Sequence, residues 1–111
     1  MNVEVLSNQI LELRRGSIVL ATLAVVNRQP YYGYALLSDL KASSFDVDGS
    51  TLYPLLRRLE RQGALKSEWN TTDNRPRKYY SLTDDGRTLY KALIKEWLAV
   101  HDNVSNILKE Q

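Results

Sequence analysis

The last quarter of the chain carries apolar residues at Tyr90, Leu93, Trp97, Val100, Val104 and Ile107, in alternating steps of three and four. That rhythm is a heptad seam, and it predicts one long helix from Thr83, a suitable N-cap, to near Lys109. Asp84 and Asp85 fall in its first turn, where carboxylates complement the helix dipole. A seam of this length exceeds what a helix needs to rest on a small core, and 111 residues provide only a small core. Such a chain buries only about 60 to 65% of its unfolded surface. Pairing with a second copy is therefore expected.

Composition narrows the function classes. The chain has no Cys, with 43% hydrophobic and 25% charged residues, which describes one ordinary globular unit. Without Cys there is no disulfide framework, thiolate metal site or cysteine nucleophile. The apolar stretch from Ile18 to Val26 is too short to span a bilayer. It follows Glu12, Arg14 and Arg15 without a small-residue cleavage pattern, so it reads as a buried helix and not as a signal peptide. A cytoplasmic protein without a membrane partner is expected. His101 is the only histidine and lacks a partner set for zinc, so neither a metal nor another cofactor is expected. An enzyme is not expected either. The helical neighbours of His101, Asp102 and Asn103, point to other faces, and neither GxGxxG nor GxxxxGK[ST] occurs.

The net charge of +2 hides a segregation. Between Ser50 and Tyr80 stand seven basic residues against three acidic ones, leaving +4 on that stretch and −2 on the rest. A first helix is predicted from about Ser7 to Val26, with Ile10, Leu13, Leu20, Leu23 and Ala24 at helical spacing and Gly16 and Ser17 interrupting it. Asn27 to Gly33 reads as a turn, and Tyr34 to Lys41 as a second helix. A third helix begins near Ser50 and places Leu52, Leu55, Leu56 and Leu59 in one stripe. Ser50, Pro54, Arg57 and Arg61 point to the opposite side, and Gly63 supplies the stop. Leu65 to Trp69 and Lys78 to Leu82 have the content of short strands, joined by a polar, turn-prone loop. The expected fold is mainly α with a small β-hairpin (α+β). Residues 1–83 form a winged helix-turn-helix and 84–111 a C-terminal dimerisation helix within the same compact unit.

A helix with a leucine stripe on one side and Ser and Arg on the other can rest on its own domain while its outer face enters a DNA major groove. A hairpin tip with Arg75, Arg77 and Lys78 then attracts phosphate or enters a narrow minor groove. Three runs carry a resemblance to a known family: Gly33 to Leu36, Ser50 to Gly63, and Arg77 to Gly86. In this order they resemble the signature of PadR-type transcriptional regulators, over a span from Leu13 to about Leu108. The single C-terminal helix is similar to the smaller PadR subfamily. The resemblance implies a homodimeric repressor on an approximately palindromic operator of double-stranded DNA, with an interface built from the first and last helices.

It also implies DNA contact by Tyr34, by Ser50, Thr51, Tyr53, Pro54, Arg57, Arg58 and Arg61 on the third helix, and by Arg75, Arg77 and Lys78 on the wing. Simple packing is the competing reading for Tyr34 and Tyr53, and pairing with neighbouring acids for Arg58 and Arg61. Trp97 sits on the seam with His101 one turn later. With Leu13, Ser17, Leu20, Leu93, Val100, Val104 and Ile107 they are expected at the dimer interface. There Trp97 either packs against its symmetry mate or lines a cavity for a small aromatic effector, with Gly16 and Ser17 leaving room. The alternative function is a winged-helix protein-interaction module. Such a module would show apolar residues where Pro54, Arg57 and Arg61 stand.

Overall fold

The structure, a computed structural model, describes every residue except Asp73, in the expected loop, and Gln111. Its elements are α1 (Val3–Arg15), α2 (Ser17–Val26), β1 (Tyr31–Tyr32), α3 (Gly33–Ala42), α4 (Gly49–Arg61), β2 (Leu65–Asn70), β3 (Arg77–Leu82) and α5 (Asp84–Lys109). The strands form one antiparallel sheet in the order β1-β3-β2.

The core is built where the leucine stripe predicts. Leu52, Leu55, Leu56 and Leu59 of α4 are all buried, against Leu23 of α2, Leu36 and Leu40 of α3, and Leu65, Tyr80 and Leu82 of the sheet. Full burial of each leucine contributes roughly 1.5–3 kcal/mol relative to exposure, so this one helix face is a principal stabiliser. Both helices that bound the helix-turn-helix end in the same way. After α3, Ser44 takes φ 70° while its N–H and that of Phe45 donate to the carbonyls of Lys41 and Leu40. After α4, Gly63 takes φ 84° while its N–H and that of Ala64 donate to Glu60 and Leu59. Each is a left-handed cap that turns the chain sharply.

Two expectations are corrected. The first helix is two helices that meet at Gly16, which keeps right-handed values, φ −65° and ψ −28°. Ser17 Oγ donates to the Arg14 carbonyl at 2.6 Å, so a side chain completes the join. The hairpin is the larger part of a three-stranded sheet, because Tyr31 and Tyr32, expected in a turn, pair with Tyr80 and Tyr79. Two residues show no period, so only the tertiary pairing makes them a strand.

At the other end of the wing, Thr83 links hairpin to helix. Its hydroxyl donates to the Gly63 carbonyl at 2.5 Å and accepts the Gly86 N–H at 2.9 Å. A Cβ at Gly86 would lie 2.0 Å from the Ala64 oxygen, so only glycine lets α5 start this close to the sheet. From there α5 runs outward, and Gly86 is its sole buried residue. Among the described residues no helix is long and apolar enough to cross a membrane.

Candidate nucleic-acid interface

The N-terminus of α4 is set by Asp48, whose Oδ1 accepts the Thr51 N–H at 3.2 Å and the Ser50 hydroxyl at 2.5 Å. The Ser50 hydrogen bond is the main reason the Asp48 carboxyl sits below its ordinary pKa. Ser50, Pro54, Arg57 and Arg61 are exposed and follow one side of the helix away from the leucines, while Thr51, also exposed, lies on the flank beside Ser44 to Val47. Among the described residues neither Arg57 nor Arg61 has an ion-pair partner. The row therefore presents a hydroxyl and uncompensated guanidinium groups to solvent.

The two tyrosines separate. Tyr34, in the first turn of α3, is 69% exposed. Tyr53 is half-buried, its ring held between the backbones of Gly33 and Gly49. A Cβ at Gly33 would come within 2.9 Å of the ring, and one at Gly49 within 2.7 Å. Tyr53 thus wedges the start of α3 against the start of α4. Arg58, exposed like Arg57, stands beside the outward row and not within it. One 100° step past Arg57 carries it to the flank of α4 that faces α5, where it lines a cleft with Leu59 and Gln62.

The wing cations are individually placed. Arg75 is exposed in the loop. Arg77 lies over the Tyr32 ring at 4.7 Å from its centroid, and Tyr32 packs edge-on against Tyr79 at 5.7 Å. Lys78 turns the other way, with Nζ 3.5 Å from Glu60 Oε1 on α4 and 5.3 Å from the Tyr80 ring centroid. Glu60 Oε2 accepts the Ser67 hydroxyl from β2 at 2.5 Å. Glu60, Ser67 and Tyr32 are contributions that the sequence reading misses, since their partners lie on other elements that only the fold brings together. Trp69, 65% exposed and opposite Lys78 in the sheet register, is missed as well. Its signal was an aromatic residue closing the expected strand Leu65 to Trp69, with no further core to meet.

On the far side of α4, the end of α1, α2 and α5 enclose an open cleft of about 820 Å³. Leu13, Ser17, Leu20, Leu93, Trp97, Val100, His101 and Val104 all line it, together with Gly16, where an added Cβ would meet open space. Ile107 does not line it, and is exposed further along α5. The Trp97 and His101 rings lie 6.4 Å apart between centroids. Asp102 does not point away as expected, because its Oδ1 comes within 3.6 Å of His101 Nδ1, with both side chains exposed.

The model of the PadR-like family of transcriptional regulators matches residues 22–92. In structure the chain is similar to a PadR family transcriptional regulator from Eggerthella lenta, with a TM-score of 0.90 and 41% identity over 97% of this chain and 96% of that one. It is also similar to a PadR-like transcriptional regulator from Bacillus cereus, with a TM-score of 0.79 and 26% identity over 87% and 96% of the two chains. A transcriptional regulator from Mycobacterium tuberculosis is 32% identical over 100 residues, 90% of this chain and 91% of that protein. A winged helix with an outward basic row, matched by this family model and by relatives of nearly equal length, is no enzyme: the chain belongs to the PadR-like family and is a DNA-binding transcription regulator.

Proposed function

We propose that the protein acts in the cytoplasm as a homodimeric repressor that binds an approximately palindromic operator and is released by a small aromatic effector. Residues 1–83 serve to read DNA, and α5, with α1, serves to pair the copies. In this reading Ser50, Thr51, Pro54, Arg57 and Arg61 face base edges and phosphates of the major groove, with Tyr34 beside the backbone. Arg75 and Arg77 meet the neighbouring phosphates or minor groove. Tyr53 acts from behind, by holding α3 and α4 together. Arg58, on the cleft side, contributes to pairing and not to base reading.

The observation that carries this reading is the opposition of two surfaces on one small body, an uncompensated basic row on α4 and an apolar cleft on its reverse lined by Trp97. A dimer closed over the cleft carries two α4 helices at a fixed separation. A flat aromatic molecule between the two Trp97 side chains changes that separation, and half-sites one helical turn apart then fit worse. The test is a titration of the purified protein against the duplex upstream of its own gene, at two salt concentrations, with Arg57→Ala and Arg77→Ala alongside. Saturable binding that is selective over a random duplex, weakens with salt and weakens in both variants is expected. Equal affinity for both duplexes in a folded dimer refutes the operator reading. Trp97→Ala tests the effector arm, which fails if ligand response and operator affinity are both unchanged while the dimer persists.

A further inference from the structure

We infer that Glu60 is a positioning residue for DNA reading, a clamp that holds the wing in one place relative to the recognition helix. The inference rests on the operator-binding reading above. Its starting point is an electrostatic oddity. Glu60 lies one turn after Arg57, on the helix that must approach phosphate, and a carboxylate there opposes the attraction that Arg57 and Arg61 provide. Its own contacts resolve the conflict. One oxygen takes the Ser67 hydroxyl of β2 and the other faces the Lys78 ammonium of β3, so a single side chain ties α4 to both strands of the hairpin.

The location of that tie gives it leverage. At the base of the wing, Leu65, Tyr80 and Leu82 are buried in the core and need no further fixing. Beyond Ser67 the strand leaves the core, and Glu68, Trp69 and Asn70 are exposed. Among the described residues no other side-chain hydrogen bond or ion pair joins α4 to the hairpin. Glu60 is thus, among the described residues, the outermost side-chain polar link between α4 and the wing. Side chains of Glu60 and Lys78 are each 33% exposed, so the pair is shielded in part from water and salt. Preorganisation of this kind lowers the ordering cost of binding, and it serves selectivity because helix and wing must meet two neighbouring grooves at one offset. It also turns Lys78 inward, leaving Arg75 and Arg77 as the cations near the wing tip for phosphate, with Lys66 at the base of β2.

Charge and position predict different affinity ratios, so they can be separated. A duplex enriched from a random pool by the wild-type chain is compared with an unselected duplex at one salt concentration, for Glu60→Lys, Lys78→Glu and the double reversal. If charge alone matters, Glu60→Lys tightens and Lys78→Glu weakens binding to both duplexes in parallel, and the affinity ratio stays constant. The clamp predicts that the ratio falls about tenfold in each single variant and returns to within about threefold of wild type in the double reversal, a coupling of the size seen for close charge pairs. Glu60→Gln, which still accepts from Ser67 but loses the pairing with Lys78, shows a smaller fall and guards against misfolding of the reversals. Amide hydrogen exchange over Leu65 to Leu82, without DNA, is faster in both single reversals and restored in the double. An unchanged ratio overturns the inference even if exchange quickens, because the tie then serves folding alone. Lack of restoration in the double variant overturns it too. A wild-type chain that enriches no duplex refutes the operator reading itself, a failure visible before any variant is compared.

Discussion

Backbone closes on both flanks of the Tyr53 ring, so this residue packs between two helix starts. In sequence Tyr53 stands on the recognition helix and is equally suited to contact DNA or to pack. The neighbours that hold it, Gly33 and Gly49, lie on the starts of two helices that only the fold brings together. Gly49→Ala should therefore cost about 1–3 kcal/mol, read as a lower midpoint in urea, because the ring cannot swing away from the new methyl without meeting Gly33. Thr22 presents the opposite case. It is fully buried in α2, and among the described residues its hydroxyl has no hydrogen-bond partner. Thr22→Val keeps the shape and removes the unpaired group, so it should raise stability by about 1 kcal/mol in the same assay. Neither effect follows from residue type alone.

At the scale of elements, α4 and α5 were legible because each carries a long, single-period pattern bounded by a cap. Asp48 and Gly63 close α4, and Thr83 opens α5. The cap of α4 has a pH signature. Hydrogen bonds from Ser50 and Thr51 favour the carboxylate, so Asp48 has a lower pKa folded than its ordinary 3.8. Its contribution is complete above that value and is lost as pH falls through it toward the folded pKa. Asp48→Asn, which still offers a capping oxygen, should show a shallower loss of stability below about pH 4 in acid titrations followed by circular dichroism. Other elements were hidden for definable reasons. β1 exists through pairing with Tyr79 and Tyr80, some fifty residues away, and no local signal encodes it. At the α1–α2 join Gly16 and Ser17 interrupt the apolar spacing, but Gly16 keeps helical backbone values, so the residue types alone do not show that one helix ends and another begins there. The wing's strands were legible, but the inward turn of Lys78 depends on Glu60, and only the folded register places that carboxylate beneath β3.

The whole molecule is more extended than its length requires. A compact chain of 111 residues has a radius of gyration of about 13 Å by the general scaling. This one measures 16.4 Å, with principal extents of 58 × 33 × 23 Å. The excess lies in α1, which has no buried residue, and in α5, whose Trp97, Val100, Val104 and Ile107 are all about half exposed. Contiguous apolar area of this kind marks an interaction site, and its heptad spacing fits a second α5 better than a diffuse surface. Val104→Glu places a charge on that seam while touching none of the core residues. For the homodimer proposed above, the expected product is a folded monomer, with helix content kept in circular dichroism and half the mass in light scattering. Its affinity for the operator should fall by about 10²–10⁴-fold, because the second half-site is no longer reached within one particle. Binding to a random duplex, which depends on Arg57, Arg61, Arg75 and Arg77, should change far less. A Val104→Glu protein that remains dimeric would remove this part of the seam from the interface. A monomer with undiminished operator affinity would show instead that one winged helix reads the site alone.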